Sequence, residues 1–149
     1  GKTFLARRVE ALLVADSRHA YLLEGENLLQ GLDADLSAAD PSFAAERVRR
    51  YGEVARLLID TGLIVVSTSK TFGINYQRMA EMIRTLVQPA PVIAVHMSRA
   101  GEEPPPNTDL HFAGPQDFDA AARQILEELK RRGVLIQPSG TKSTIQYSI

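Results

Sequence analysis

Tyr21-Leu22-Leu23-Glu24-Gly25-Glu26-Asn27 and, further along, Leu63-Ile64-Val65-Val66-Ser67 are the two stretches that decide the fold. Each is a short apolar run that breaks off into small and polar residues. Such runs read as strands of the fully buried type, which belong inside a parallel sheet. Between them Val48, Tyr51, Ala55 and Leu58 recur at helical spacing, and Thr61-Gly62 closes that helix before the second strand begins. Strand, helix and strand in this order predict a right-handed crossover with a helix laid on the sheet.

Working outward, the alternation continues in both directions. Upstream, Leu5, Val9, Leu12 and Leu13 form a helical stripe. Downstream, Met79, Met82, Ile83 and Leu86 predict a helix ended by Pro89-Ala90-Pro91, and Val92-Ile93-Ala94-Val95 predicts a third strand. Phe118, Ala122, Ile125, Leu126 and Leu129 predict a last helix from Asp117 to Arg132, stopped by Gly133. The fold class is therefore α/β, a parallel sheet with helices on both faces. Ligands in such folds bind beyond the carboxyl ends of the strands, so the loops carrying Glu24 to Asn27 and Ser67 to Gly73 are expected to share one cleft. The stretch Arg99 to Asn107 reads as a linker-like loop. Thr144 to Ile149 has alternating strand chemistry, so the tail 134–149 is a candidate edge strand.

Composition limits what the cleft can serve. The chain has 149 residues, 44% of them hydrophobic, enough for one substantial core. Seventeen basic residues stand against eighteen acidic ones. No net field favours nucleic acid or an anionic membrane as partner. The absence of cysteine removes disulfides, thiolate metal sites and a cysteine nucleophile, and His19, His96 and His111 are too dispersed for a local metal motif. No leader pattern and no apolar run of membrane-spanning length occurs, which sets the expectation of a soluble cytoplasmic protein. There is no Gly-x-Ser-x-Gly elbow, and the serines of Ser67-Thr68-Ser69 read as the polar end of a buried strand. Glu127, Glu128, Lys130, Arg131 and Arg132 read as the solvated face of the last helix.

Two motifs carry phosphate chemistry. Gly1-Lys2-Thr3 opens a helix with the residues that end a phosphate-binding loop, in which backbone N–H groups surround the phosphates, the lysine reaches the β- and γ-oxygens and the hydroxyl binds magnesium. A complete loop needs a strand and glycine-rich residues ahead of its lysine. The N-terminal strand and first half of the loop are therefore expected to be missing from this sequence, and without them the nucleotide site is incomplete. Glu24-Gly25-Glu26-Asn27 places two carboxylates at a strand end, where one can accept the proton of an attacking hydroxyl and the other can help to orient magnesium. The same segment also reads as a polar strand end, with Gly25 at a turn and Asn27 capping the next helix.

Gly1-Lys2-Thr3, Glu24 to Asn27, Gly31-Leu32-Asp33-Ala34-Asp35-Leu36 and Arg49-Arg50-Tyr51-Gly52-Glu53-Val54-Ala55 together resemble the adenylylsulfate kinase family, over residues 1–133. The resemblance implies a three-layer P-loop NTPase fold and ATP-dependent phosphorylation of the 3′-hydroxyl of adenylylsulfate, with magnesium. It implies ATP-phosphate contacts for Gly1, Lys2 and Thr3, magnesium at Thr3 and a catalytic pair in Glu24 and Lys2. Glu26, Asn27, Arg50 and Lys70 are the implied substrate neighbours, and a homodimer or a fusion to other sulfate-activation domains the implied assembly. Arg49 and Arg50 read equally as solvated helix residues.

The departures from the family fall on the substrate side. Glu24 and Glu26 stand where the family has aspartates. Leu29 replaces an arginine, Phe43-Ala44-Ala45-Glu46-Arg47 replaces an Asp-Arg-x-Glu-Asn run, and Lys70-Thr71-Phe72-Gly73 replaces a Ser-Pro-Phe/Tyr-Arg turn. Val95-His96-Met97-Ser98 passes almost at once to Glu102-Glu103-Pro104, so the basic lid of the family is expected to be deleted. Two alternatives stay open beside the adenylylsulfate kinase. One is a catalytically silent nucleotide-binding or interaction domain; the other is a P-loop kinase for another small metabolite.

Overall fold

A computed structural model describes residues 1–68 and 74–135. Its elements are α1 (Lys2–Ala15), β1 (Ala20–Glu24), a 3-10 turn (Gly25–Leu28), α2 (Phe43–Asp60), β2 (Ile64–Thr68), α3 (Tyr76–Val87), β3 (Val95–Ser98), β4 (Leu110–Ala113) and α4 (Phe118–Arg131). Among the described residues the strands form two parallel pairs, β1 with β2 and β3 with β4. In the first pair Leu23 lies opposite Ser67 and Glu24 opposite Thr68.

The period of two along the strands sorts the apolar side chains onto two faces. Ala20, Ile64 and Val66 join Val95, Met97, Leu110 and Phe112 in one core, built on Leu5, Val9 and Leu13 of α1 and Ala122, Ile125 and Leu126 of α4. Leu23 and Val65 point the other way, into a second core with Val48, Tyr51 and Ala55 of α2 and Met79 and Val87 of α3. Both pairs contribute to the first core, so helices cover both faces of an α/β sandwich. Leu13 and Val48 are fully buried, each contributing roughly 1.5–3 kcal/mol.

Helix ends follow local chemistry. Asp117 caps α4, its side chain accepting from Asp119 N and Ala120 N, and Asn75 caps α3 by accepting from Arg78 N. Gly62 and Gly133 take left-handed φ values of 93° and 72°. The N–H after each glycine then donates back to a carbonyl of the last turn, Leu63 to Leu58 and Val134 to Leu129. Helix α1 ends by the same device with Ser17 at φ 57°, a serine that does not announce it. Gly52 lets α2 approach α3: a Cβ there would lie 2.5 Å from Leu86 Cδ1 and 3.2 Å from its Cβ.

Two strands differ from expectation. β3 starts at Val95 rather than Val92, because the Ala94 N–H donates to the Asp109 carboxylate at 2.6 Å and the ladder with β4 begins one residue later. β4 was not anticipated; Leu110-His111-Phe112-Ala113 is short and lacks a branched run. Of the tail 134–149, residues 136–149 lie outside the described residues.

Candidate active site

Helix α1 begins at the carboxyl ends of the strands. Gly1 packs against β3 and α4, where a Cβ would come 3.2 Å from Met97 Cε and 3.5 Å from the Phe118 ring. The helix has no side-chain cap and no acidic residue in its first turn, and residues 1–4 are exposed. Its first N–H groups therefore present the positive end of the helix dipole with a lysine beside it, an arrangement suited to phosphate.

Glu24 ends β1 on the face that α1 covers. Its Oε1 lies 3.9 Å from Arg7 Nη2, and its Oε2 accepts from Asn27 Nδ2 at 3.5 Å. Gly25 is buried as the chain enters the 3-10 turn, which leaves Glu26 and Asn27 exposed. Asn27 therefore contacts Glu24 within that turn, and α2 starts much later at Phe43. On the other face of the same strand end, the fully buried Tyr51 donates its hydroxyl to Leu23 O at 2.8 Å. The Tyr51 oxygen also shares a hydrogen bond with Ser67.

Arg50 sits back on α2. Its guanidinium donates to both oxygens of Asp35, at 2.6 and 3.0 Å, to Glu46 at 3.0 Å and to Leu32 O at 2.7 Å. Arg49 adds a second fork on Glu46. These two arginines hold the Glu46 carboxyl at about 2, far below its ordinary 4.5. Beneath them Arg47 pairs with the buried Asp33 at 3.4 Å and lies 5.5 Å over the Phe43 ring. Lys70 lies outside the described residues.

On α3, β3 and β4 the Tyr76, His96 and His111 rings follow one another at 5.6 and 5.8 Å. Burial first, then His111 and Lys2, push the His96 imidazole pKa below its usual value. Ser98 donates to Arg99 O at 3.1 Å, so His111 Nε2 is the donor in its 2.7 Å contact with Ser98. Among the described residues no three His, Asp or Glu side chains gather for a metal ion. No described helix is long and apolar enough to cross a membrane.

Residues 1–105 match the family model for adenylylsulphate kinase. The chain belongs to the adenylylsulphate kinase family. It is 41% identical over 87 residues to an adenylyl-sulfate kinase of Aeromonas hydrophila, covering 58% of this chain and 42% of the relative. A Yersinia pestis adenylyl-sulfate kinase is 29% identical over 164 aligned residues, covering 91% of this chain and 75% of the relative. The fold is similar to that of the Mycobacterium tuberculosis APS kinase CysC, solved in complex with AMPPNP and APS, with a TM-score of 0.70 at 24% identity. That likeness covers 87% of this chain and 91% of the other. The matched stretch spans less than half the length of the first curated relatives.

The structure thus brings Gly1, Lys2, Thr3 and Glu24 to one end of the fold, with Glu26 and Asn27 on the adjoining turn. Arg50 is bound into the 29–36 loop by carboxylates of this chain. Arg7 and Tyr51 were not read as site residues. Tyr51 could have been found, since a tyrosine inside an aliphatic stripe must place its hydroxyl on a polar partner.

Proposed function

We propose that this chain is the phosphate-transfer domain of an ATP-dependent kinase acting on the 3′-hydroxyl of adenylylsulfate or a closely similar anion. The observation that carries it is the uncapped, acid-free start of α1 bearing Lys2 and Thr3, placed at the strand ends where Glu24 emerges. Gly1 there packs against β3 and α4, where a Cβ would come 3.2 Å from Met97 Cε and 3.5 Å from the Phe118 ring. Lys2 and the first N–H groups of α1 bind the β- and γ-phosphates. Glu24 accepts the proton of the acceptor hydroxyl as the γ-phosphoryl moves, with the Arg7 guanidinium 3.9 Å from its Oε1. Thr3 would hold magnesium, which when bound neutralises charge on the transferring group. Glu26 and Asn27 face the acceptor.

The connection from β3 to β4, Arg99 to Asp109, is short and internally tied by Arg99 N to Glu102 and Thr108 Oγ1 to Pro105 O. An alignment of 164 positions to a chain of 149 residues must pass through residues that the relative has and this chain lacks. Both support a kinase without the family's lid, in which water reaches the transfer site more freely and ATP hydrolysis competes.

The test is calorimetric titration of the full-length protein with magnesium and a non-hydrolysable ATP analogue, then adenylylsulfate. Sequential binding, with the nucleotide step lost in Lys2→Ala, is the expected result; no nucleotide binding at all would sink the reading. The carboxylates on Arg50 favour a second reading, a nucleotide-binding module without acceptor chemistry. Nucleotide binding without adenylylsulfate binding or turnover would select it.

A further inference from the structure

We propose that Tyr51 is a positioning residue for phosphate transfer: its hydroxyl pins the strand pair Leu23 and Ser67 and thereby fixes the peptide from which Glu24 leaves β1. The proposal rests on the reading of Glu24 as the base.

The proton directions are determined by chemistry. Leu23 O can only accept, so the Tyr51 hydroxyl proton goes to it; the Ser67 hydroxyl must then donate to the Tyr51 oxygen. Leu23 and Ser67 are direct partners in the parallel ladder. A side chain from α2 therefore braces the last rung but one of β1 and β2, across two strand ends that both open onto the site. The Leu23 carbonyl shares its planar peptide with the nitrogen of Glu24. Holding that carbonyl fixes the plane from which Glu24 departs, with Glu24 at φ −98° and ψ 121° before the chain tightens into the 3-10 turn.

The brace itself is immobile. Tyr51 has no exposure and packs with Val48, Ala55 and Leu23. An aliphatic residue at this place in the stripe would fill volume and hold neither strand. Burial pushes the phenol up to about 12, with the charge of Glu26 adding to the effect, so the hydroxyl stays a donor across the physiological range. Ser67 is the exposed end of the relay, which links the buried brace to the surface where the acceptor would sit.

Tyr51→Phe keeps the ring and deletes the relay; Ser67→Ala removes its outer half and serves where the first variant folds poorly. Amide hydrogen exchange is read at Glu24 to Leu28 against α1 and α4, together with phosphotransfer kinetics from ATP to adenylylsulfate. Tyr51→Phe is expected to speed exchange at Glu24 to Leu28 roughly tenfold, the scale of one lost buried hydrogen bond. Exchange in α1 and α4 stays unchanged, kcat falls and KM for ATP holds, with a smaller change in the same direction for Ser67→Ala. Unaltered exchange at Glu24 to Leu28, or an equal rise across α1 and α4, would overturn the positioning role. A wild-type protein that transfers no phosphate would overturn the kinase reading, while the exchange result would still decide what Tyr51 does.

Discussion

The two sides of the site are built by opposite strategies. At the mouth of α1 the structure leaves charge unmatched: an uncapped helix end, exposed Lys2 and Thr3, and no acid in the first turn. Around the start of α2 it matches nearly everything. Arg47 is bound to Asp33, Arg50 to Asp35 and Glu46, and Arg49 to Glu46. Unmatched positive charge invites an anionic ligand, whereas matched charge organises the chain that carries it. The α1 side is thus open to an anion, and the α2 side is held by its own carboxylates.

The largest effect is expected at the deepest of these pairs. Asp33 is 3% exposed and its Oδ1 has no hydrogen-bond partner among the described residues. Removing its countercharge by Arg47→Ala should lower folding stability by about 3–5 kcal/mol, measured by urea unfolding. The double change Arg47→Met with Asp33→Leu should recover most of that loss, because the uncompensated charge goes with it. If the single change costs nothing, the matched side is decoration and the contrast collapses.

Lys2→Ala probes the open side. Nucleotide affinity should fall by roughly ten- to a hundredfold, the scale of losing one hydrogen bond to a charged group. The urea midpoint should not move, because Lys2 is exposed and its charge serves no described ion pair. A fall in stability would mean that the lysine is structural and the α1 mouth is not a ligand site.

This contrast was half legible in the sequence. Gly1-Lys2-Thr3 and Glu24 to Asn27 are contiguous, and contiguous motifs keep their geometry when a helix start or a strand end is recognised. The helical stripes Leu5 to Leu13, Val48 to Leu58 and Phe118 to Leu129 all fell on the core, because burial imposes the helical period directly. What could not be read were pairings between distant residues. Asp33 with Arg47 and Tyr51 with Leu23 depend on how the 29–36 loop and α2 fold together. β4 was hidden for a related reason: its partner β3 supplies the ladder that its own residues do not advertise. The family resemblance implied a substrate neighbour at Arg50 and the helical pattern equally a solvated residue, and neither reading showed that Asp35 would reach it.

Arg50→Gln sharpens the contrast on a smaller scale. Asp35 is two-thirds exposed, its side chain retaining 66% accessibility, so solvent screens the clasp and its loss should move the urea midpoint only slightly. Adenylylsulfate affinity should hardly change, since the guanidinium is already committed to carboxylates. A tenfold or larger loss of affinity would show that Arg50 releases Asp35 to take the substrate anion, and the matched side would then be a switch.

The smallest effect concerns pH, and it tests the matched side against a control in the other half of the molecule. Arg49 first, then Arg50, hold Glu46 at about 2; Arg131 and Arg132 do the same for Glu128 on α4. Each carboxyl binds its proton less readily when folded than unfolded. Each therefore adds stability that is present above about pH 4.5 and is lost as the pH falls toward about 2. Both side chains are part-covered, Glu46 keeping 28% of its surface and Glu128 13%, so salt should shrink both contributions only in part, and Glu128's less. Glu46→Gln and Glu128→Gln should each flatten the acid limb of the stability profile to a similar extent. Their local consequences should differ. Glu46 ties Arg50, and through it Asp35 and the carbonyl of Leu32, so acid or Glu46→Gln should loosen the 29–36 loop, seen as faster amide exchange there. Glu128 ties the end of α4, so Glu128→Gln should leave that loop unchanged. Equal exchange in the loop for both variants would show that the arginine and carboxylate network on α2 organises nothing beyond its own helix.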